Sequence, residues 1–456
     1  MRYPLILATA FAMAAPVSTQ GFGLFEHGAC MMGRAGAGIA APCTDGSGIF
    51  FNPAGLTGQR GLTLSVGGVA IKTMGGFTDD GTATETRLQN GIVSVPHAYL
   101  TYGITDRITA GLGMFVPFGL GTAWPDTFEG RYVGYDNGLN SIYVQPTVSV
   151  RLHPMLAVGG GPNLIMSSVH LSQRVELSAL PIGDGVTFGN LGLLSNIDMA
   201  DARLEATGNG LAGHVALLFT PHARVSVGAR YLTPARIDYT GTIDFTQIPT
   251  NITLPPFNPL SLALDPLVNP ANPLPLDLVL STVFQAGQPL ADGDVTTSIT
   301  MPGQVVAGIA VRATNTVSVF ADWQMVRWSA FDTLRADFPS NAATPPLMAP
   351  QDFNDSHGLR LAVEWLTSGT VALRSGFIWH SAASPDQTVT PLLPEGERNE
   401  WIVGLGYQVF SGLTADVAYQ FLRQERRRGR VRSAPEHTGL YDFNAHMVGL
   451  SLTARF

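Results

Sequence analysis

Covalent chemistry in this chain would rest on two residues: Cys30 and Cys43 are its only cysteines, and both lie in a stretch rich in glycine and alanine. In an exported protein they would meet an oxidising compartment, where disulfides form and persist. Closing such a loop stabilises by roughly 3 kcal/mol on chain-entropy grounds; the alternative is a pair of small buried thiols. Catalytic signatures are missing. There is no G-x-S-x-G elbow, no H-E-x-x-H and no G-x-x-x-x-G-K-[ST]. The 10 histidines are scattered, and His380 beside Ser381, or His446, reads as a solvent or interface residue rather than half of a hydrolase. A lipid hydrolase is therefore the remote alternative, no enzyme is expected, and neither a metal nor a cofactor is called for.

The totals bound the elements that must position any working residue. The chain has 456 residues, of which 45% are hydrophobic and 13% charged, about half the usual charged fraction of a soluble domain. Much of its exterior therefore faces something other than water. Yet after the leader no segment reaches the roughly 18 uncharged apolar residues of a membrane helix. Apolar composition without apolar runs is what alternating strands give, each sending every second residue into lipid. Residues 1–20 read as a secretory signal: Arg2, a short apolar run from Leu5 to Ala15, then small residues. The cleavage point stays open between Ala14 and Gly21. The net charge is -8, Lys72 is the only lysine, and nothing suggests a nucleic-acid surface.

From Gly61 onward the pattern predicts fourteen strands, near 61–72, 93–105, 107–117, 139–152, 155–175, 203–219, 223–246, 294–312, 315–337, 356–366, 370–382, 399–410, 413–426 and 440–456. Tight turns follow every even-numbered strand, at Thr105-Asp106, His153-Pro154, Pro221-His222, Thr314-Asn315, Ser368-Gly369 and Ser411-Gly412, and long loops follow the odd ones. An even count with alternating short and long connections is the up-and-down pattern of an outer-membrane barrel, with both chain ends on the periplasmic side. Within the thirteenth strand Leu413, Ala415, Val417, Tyr419 and Phe421 share the lipid face, while Thr414, Asp416, Ala418 and Gln420 share the other. The last strand ends on Phe456, with Ala454, Leu452, Leu450 and Val448 on its face. The expected fold is all-β: a 14-stranded antiparallel transmembrane β-barrel (61–456) with an N-terminal hatch (21–60) inside its lumen, acting as a monomer.

The stretch from Gly21 to Gly55 has neither strand nor helix periodicity, and Asn52-Pro53 sets a turn. Its Gly21-Phe22, Gly33-Arg34-Ala35-Gly36 and Asn52-Pro53-Ala54 resemble the hatch of the long-chain fatty-acid outer-membrane transporters, the FadL type, whose relatives also import aromatic hydrocarbons. Pro117-Phe118-Gly119-Leu120 with Trp124, the run from Trp328 to Arg335, and Pro394 to Arg398 are similar to further family stretches, so the resemblance covers the whole mature chain.

The resemblance implies passive, hatch-gated uptake through an external groove, an internal pocket and a lateral exit. The loops at 176–202 and 247–293 would form the groove, since the second is rich in leucines such as Leu254, Leu260, Leu262, Leu264, Leu267, Leu274 and Leu280; a simple roof is the alternative. In the third strand Pro117 and Gly119 would interrupt pairing and open the wall, with Asn52, Pro53 and Ala54 beside them as the hatch contact. Arg335 matches a family position that meets the ligand head group, Arg174 lies near a second, and Phe22 matches the hatch phenylalanine. Arginine grips a carboxylate through two parallel hydrogen bonds, although a charge network with Asp322, Asp332, Arg374 or Asp416 would also account for Arg335. The partners implied are fatty acids, or else aromatic or aliphatic hydrocarbons, together with outer-membrane lipid and lipopolysaccharide.

Overall fold

Alternating sequence becomes alternating burial along the whole wall. The computed structural model describes residues 21–183, 186–191, 195–258, 260–261, 269–341, 344–431 and 438–456. The expected leader, and Leu262, Leu264, Leu267 and Val268 of the long loop, lie outside these. The barrel strands are β1 (Leu62–Asp79), β2 (Val93–Gly103), β3 (Ile108–Ala123), β4 (Asp136–His153), β5 (Leu156–Glu176), β6 (Asp198–His222), β7 (Val225–Leu232, resuming as Ala235–Gln247) and β8 (Gly293–Met301, resuming as Gln304–Arg312). They continue with β9 (Val317–Val326, extended by Thr333–Asp337), β10 (Ser356–Leu366), β11 (Val371–His380), β12 (Arg398–Phe410), β13 (Leu413–Gln424) and β14 (Thr438–Arg455). All neighbours pair antiparallel, and β1 closes on β14 from Thr63↔Arg455 to Asp79↔Gly439. The barrel has the fourteen strands that the turn pattern predicts.

Three strands run further than the sequence suggests, β6 at both ends: it spans Asp198–His222 rather than 203–219, so its tight turn falls at Ala223-Arg224 and not at Pro221-His222. β1 continues past Lys72 to Asp79 because Gly75 and Gly76 serve close strand approach rather than a turn; a Cβ on Gly75, at φ 138°, would lie 2.0 Å from the Asp442 carbonyl oxygen. β3 continues to Ala123 for a reason that belongs to the site below. Three strands break along one line, at Thr233-Pro234 and Pro302-Gly303, where proline cannot donate to the ladder, and at 327–332, where a 3-10 turn over Trp328–Ala330 leaves it.

Faces follow the period of two. In β9, Val319 and Trp323 are exposed to the bilayer while Phe320, Asp322 and Gln324 are buried in the lumen. Cross-strand register lines up Phe377, Trp401, Phe421, His446 and Lys72 in one outer row toward the extracellular side. Trp365, Tyr407, Phe410 and Tyr102 are exposed nearer the short turns. These two levels are the aromatic girdles that flank the apolar band of an outer-membrane barrel.

Inside lies the hatch, with helices α1 (Ala29–Gly33) and α2 (Gly48–Phe51) and a 3-10 turn at Pro53–Leu56. The Cys30 and Cys43 sulfurs are bonded, with Cα atoms 6.4 Å apart. Charge and amide contacts hold the hatch to the wall. Arg34 pairs with Glu364, which also pairs with Arg374, and Arg374 reaches Asp416. The amides of Gly38 and Ile39 donate to Asp322 at 2.8 and 3.0 Å. The expected lumen network is therefore present, built on Arg34, Arg374, Glu364 and Asp416 rather than on Arg335.

Candidate functional site

The site begins where β3 changes partners. Val116 and Pro117 are skipped in its ladder with β4, between Phe115↔Tyr143 and Phe118↔Ser141, so Phe115 and Phe118 both point into the lumen. On the other side the β2–β3 ladder runs from Gly103↔Thr109 to Ala98↔Met114 and stops there. The hatch takes the vacated edge: the Leu24 amide donates to the Pro117 carbonyl at 2.8 Å and the Gly119 amide to the Phe22 carbonyl at 3.0 Å. This borrowed pairing is why β3 does not end at Pro117. Above the gap the wall closes again, as the Gln89 amide donates to Ala123 and the Asn90 side chain bonds Gly121 and Ala123, each at 2.7 Å. A window remains between Val93–His97 and the strand beyond Met114, backed by a cavity of about 360 Å³.

Two more cavities lead to it from outside. One of about 310 Å³ lies under the extracellular loops among Val175, Leu180, Phe245, Leu290 and Phe338. The next, of about 260 Å³, is walled by Phe22, Val169, Ile299, Phe331, Leu334 and Met348. These two share Leu171, Gln173, Leu204 and Leu347, while the second shares Phe22, Leu120, Leu139 and Leu393 with the window cavity. The long loops pack on one another and border a cavity. Leu274, Leu276 and Leu280 pack with Leu177, Leu180 and Met199 in a buried cluster, and the outermost cavity opens beside it.

Phe22 stands at the junction of the inner cavity and the window. Its ring lies 4.6 Å from Trp328, 5.3 Å from Phe331 and 6.2 Å from Phe118, mostly edge to face. Gly21 is held on both sides, its amide donating to Glu395 at 2.6 Å and its carbonyl accepting from Arg398 at 3.0 Å. At φ 56° a Cβ there would strike the Trp328 indole at 2.6 Å. Trp328, Phe331 and Glu395 lie in the stretches that resemble the family, but nothing local marks them as neighbours of Phe22.

Other expected positions fall differently. Asn52, Pro53 and Ala54 do not lie beside Pro117. The Asn52 amide donates to the carbonyls of Ile39 and Leu217, its oxygen accepts from Ala54 at 2.9 Å, and a Cβ on Gly159 would meet the Pro53 backbone at 2.6 Å. The turn thus seats the hatch on β5 and β6, and Phe22, Gly23 and Leu24 are the residues that meet the window. Arg335 does line the inner cavity, but on an extracellular extension, 57% exposed, with its guanidinium making three hydrogen bonds of 2.7–2.9 Å to Asp337. That bonding holds the Asp337 carboxyl below its ordinary pKa. Arg174 lines none of the three cavities: it bonds Asp126 of a loop at 2.8 Å and pairs at 3.5 Å with Asp201, its cross-strand neighbour on β6. Ser381 accepts from the His357 amide at 2.6 Å, while His380 faces Arg360 and Glu400, so the two do not form a nucleophile and base.

This geometry has known counterparts. A crystal structure of a Pseudomonas aeruginosa FadL homologue superposes with a TM-score of 0.78 at 18% identity, covering 96% of this chain and 100% of that one. The P. putida toluene transporter TodX does so with a TM-score of 0.67 at 15% identity, covering 95% and 99%. In sequence, the long-chain fatty acid transport protein of Salmonella typhi is 22% identical over 431 residues, 92% of each chain. The profile of the family described as outer membrane protein transport protein (OMPP1/FadL/TodX) matches residues 8–456, and the chain belongs to that family of non-enzymatic outer-membrane barrels for hydrophobic compounds.

Proposed function

We propose that, within the transport of hydrophobic compounds its family performs, this protein takes up long-chain fatty acids by diffusion. The single observation that supports this most is the run of three cavities sharing walls, from the extracellular loops past Phe22 to the window between β2 and β3. A path that is long, narrow and mostly apolar suits an alkyl chain, which gains about 0.8 kcal/mol for each methylene buried. The chain is captured under the loops, rests against Phe22 and Phe331, and leaves sideways once the first hatch residues shift from the β3 edge. Residues 1–20 are removed on export, and the closed barrel acts as a monomer among outer-membrane lipid and lipopolysaccharide.

One observation favours a second reading. The Arg335 guanidinium in the inner cavity is occupied by Asp337, so neutral aromatic or aliphatic hydrocarbons meet no less favourable a surface there. Uptake of labelled oleate, toluene and hexadecane by cells with and without the gene decides between them. Gene-dependent uptake of oleate supports the first reading, uptake of toluene or hexadecane without oleate supports the second, and no gene-dependent uptake of any of the three removes both.

A further inference from the structure

β1 presents an apolar row to the bilayer, Leu64, Val66, Ala70 and Met74, broken by one charge, Lys72. It is the only lysine in 456 residues. A charge facing lipid is costly at mid-membrane and nearly free at the interface, and the register puts Lys72 opposite His446, in the outer aromatic row. Its side chain is exposed, and its ammonium donates to the carbonyl of Asn90. Asn90 is the residue whose side chain closes the top of the window onto Gly121 and Ala123. Ile71 and Thr73, on either side of Lys72, line the window cavity. An ammonium carries three donors. One is spent on the lip of the window, and the exposed face leaves the others toward the membrane side of the opening.

An amphiphile leaving sideways needs its tail in the bilayer and its charged head at the interface. Arg335 lines the inner cavity and Arg174 lies off the route, each holding a carboxylate of its own chain, and Arg398, on the lumen side of the window cavity, donates to the Gly21 carbonyl. We propose that Lys72 is the head-group post of the window: its ammonium pairs with the carboxylate of a fatty acid whose tail still lies between β2 and β3. This rests on the reading of the window as the exit, and it makes that exit select acids over neutral molecules.

The test compares initial uptake of labelled oleate and methyl oleate, which share a tail and differ in head charge. The host is a strain without its own transporter, expressing the wild type, Lys72→Arg, Lys72→Gln or Gly121→Phe. Lys72→Gln should lower oleate uptake about two- to fivefold, the range of an exposed ion pair. It should leave methyl oleate unchanged, and Lys72→Arg should keep oleate near wild type. Equal loss of both cargoes in Lys72→Gln would mean that Lys72 only braces the lip or binds a lipid phosphate, and no loss of either would mean that it does nothing for transport; both overturn the proposal. Gly121→Phe tests the exit itself. Gly121 is an exposed residue at the edge of the window cavity with nothing within 4 Å of a Cβ, so a ring there stands at the mouth of the window without displacing packing. Loss of both cargoes in that variant upholds the lateral exit, and full uptake of both overturns it whatever Lys72 does.

Discussion

Arg335 and Asp337 are two residues apart on one strand, so their side chains share a face, and the nearest anion to the guanidinium is in its own chain. A fatty acid can use Arg335 only by displacing that carboxylate. Asp337→Asn should therefore tighten oleate binding, by at most about fivefold for so exposed a pair, while Arg335→Ala weakens it and methyl oleate ignores both changes; titration of the solubilised protein with the two ligands measures this. The pH dependence follows from the direction of the shift. The Asp337 carboxyl is held low by the hydrogen bonds from Arg335, so the pair is intact above the ordinary carboxylate range and is lost only as pH falls through the lowered value. Between pH 7 and pH 5 the pair should persist, so the Asp337 carboxyl carbon should show no titration by NMR in that window; a midpoint there contradicts the assignment. The competitor at Asp337 is legible in the sequence as Arg-x-Asp on a strand, whereas the resemblance pointed only to the arginine. Phe22 was legible as a hatch residue, but its cage was not, because Phe118, Trp328 and Phe331 come from segments far apart in the chain.

Local pattern settles most elements and fails where another element supplies the partner. Strand positions and short turns were readable because a period of two and turn residues are local signals. The extent of β3 was not, since beyond Met114 its edge bonds are made by Phe22 and Leu24. The seat of the Asn52–Ala54 turn was carried over from the resemblance, and the contacts that place it on β5 and β6, with Gly159 and Leu217, have no local signature. That seat makes Asn52 the pin of the hatch: one buried side chain bonds two carbonyls and one amide. Asn52→Ala removes the side-chain partner of all three at a buried site, at a cost of roughly 1–3 kcal/mol. The loss should fall on the hatch and not on the barrel, whose ladders do not involve it. Limited proteolysis should then cut between Gly21 and Gly58 faster than in the wild type at an unchanged barrel melting temperature, and a parallel drop in barrel melting would show that hatch and wall unfold as one unit.

At the scale of the whole molecule the wall and the hatch are separable by their bonding. The strand count was open to sequence reading because it depends only on alternating turn lengths, and closure of β1 on β14 runs along the full length of β1 without any hatch residue. What the hatch adds lies inside: Arg34 on Glu364, the Gly38 and Ile39 amides on Asp322, and Phe22 against the window. The wall under Arg34, Gly38 and Ile39 is polar, with Asp322, Glu364, Arg374 and Asp416 facing the lumen, so water can replace the hatch there at little cost, whereas the aromatic wall under Phe22 and Phe50 loses apolar cover. Eight strands leave an interior that side chains fill, and sixteen leave an aqueous channel; a fourteen-stranded wall without its hatch should therefore hold a continuous bore. Deleting residues 21–58 while keeping the export signal should yield a barrel that still assembles, seen as a heat-modifiable band on electrophoresis. In planar bilayers it should pass ions in steady open steps where the intact protein is nearly silent. Cargo should lose its confined path at the same time, so that oleate uptake no longer saturates and no longer depends on Lys72. A deletion variant that fails to assemble would make the hatch part of the folding nucleus, and one that assembles yet stays silent would mean that the long loops, not the hatch, close the bore.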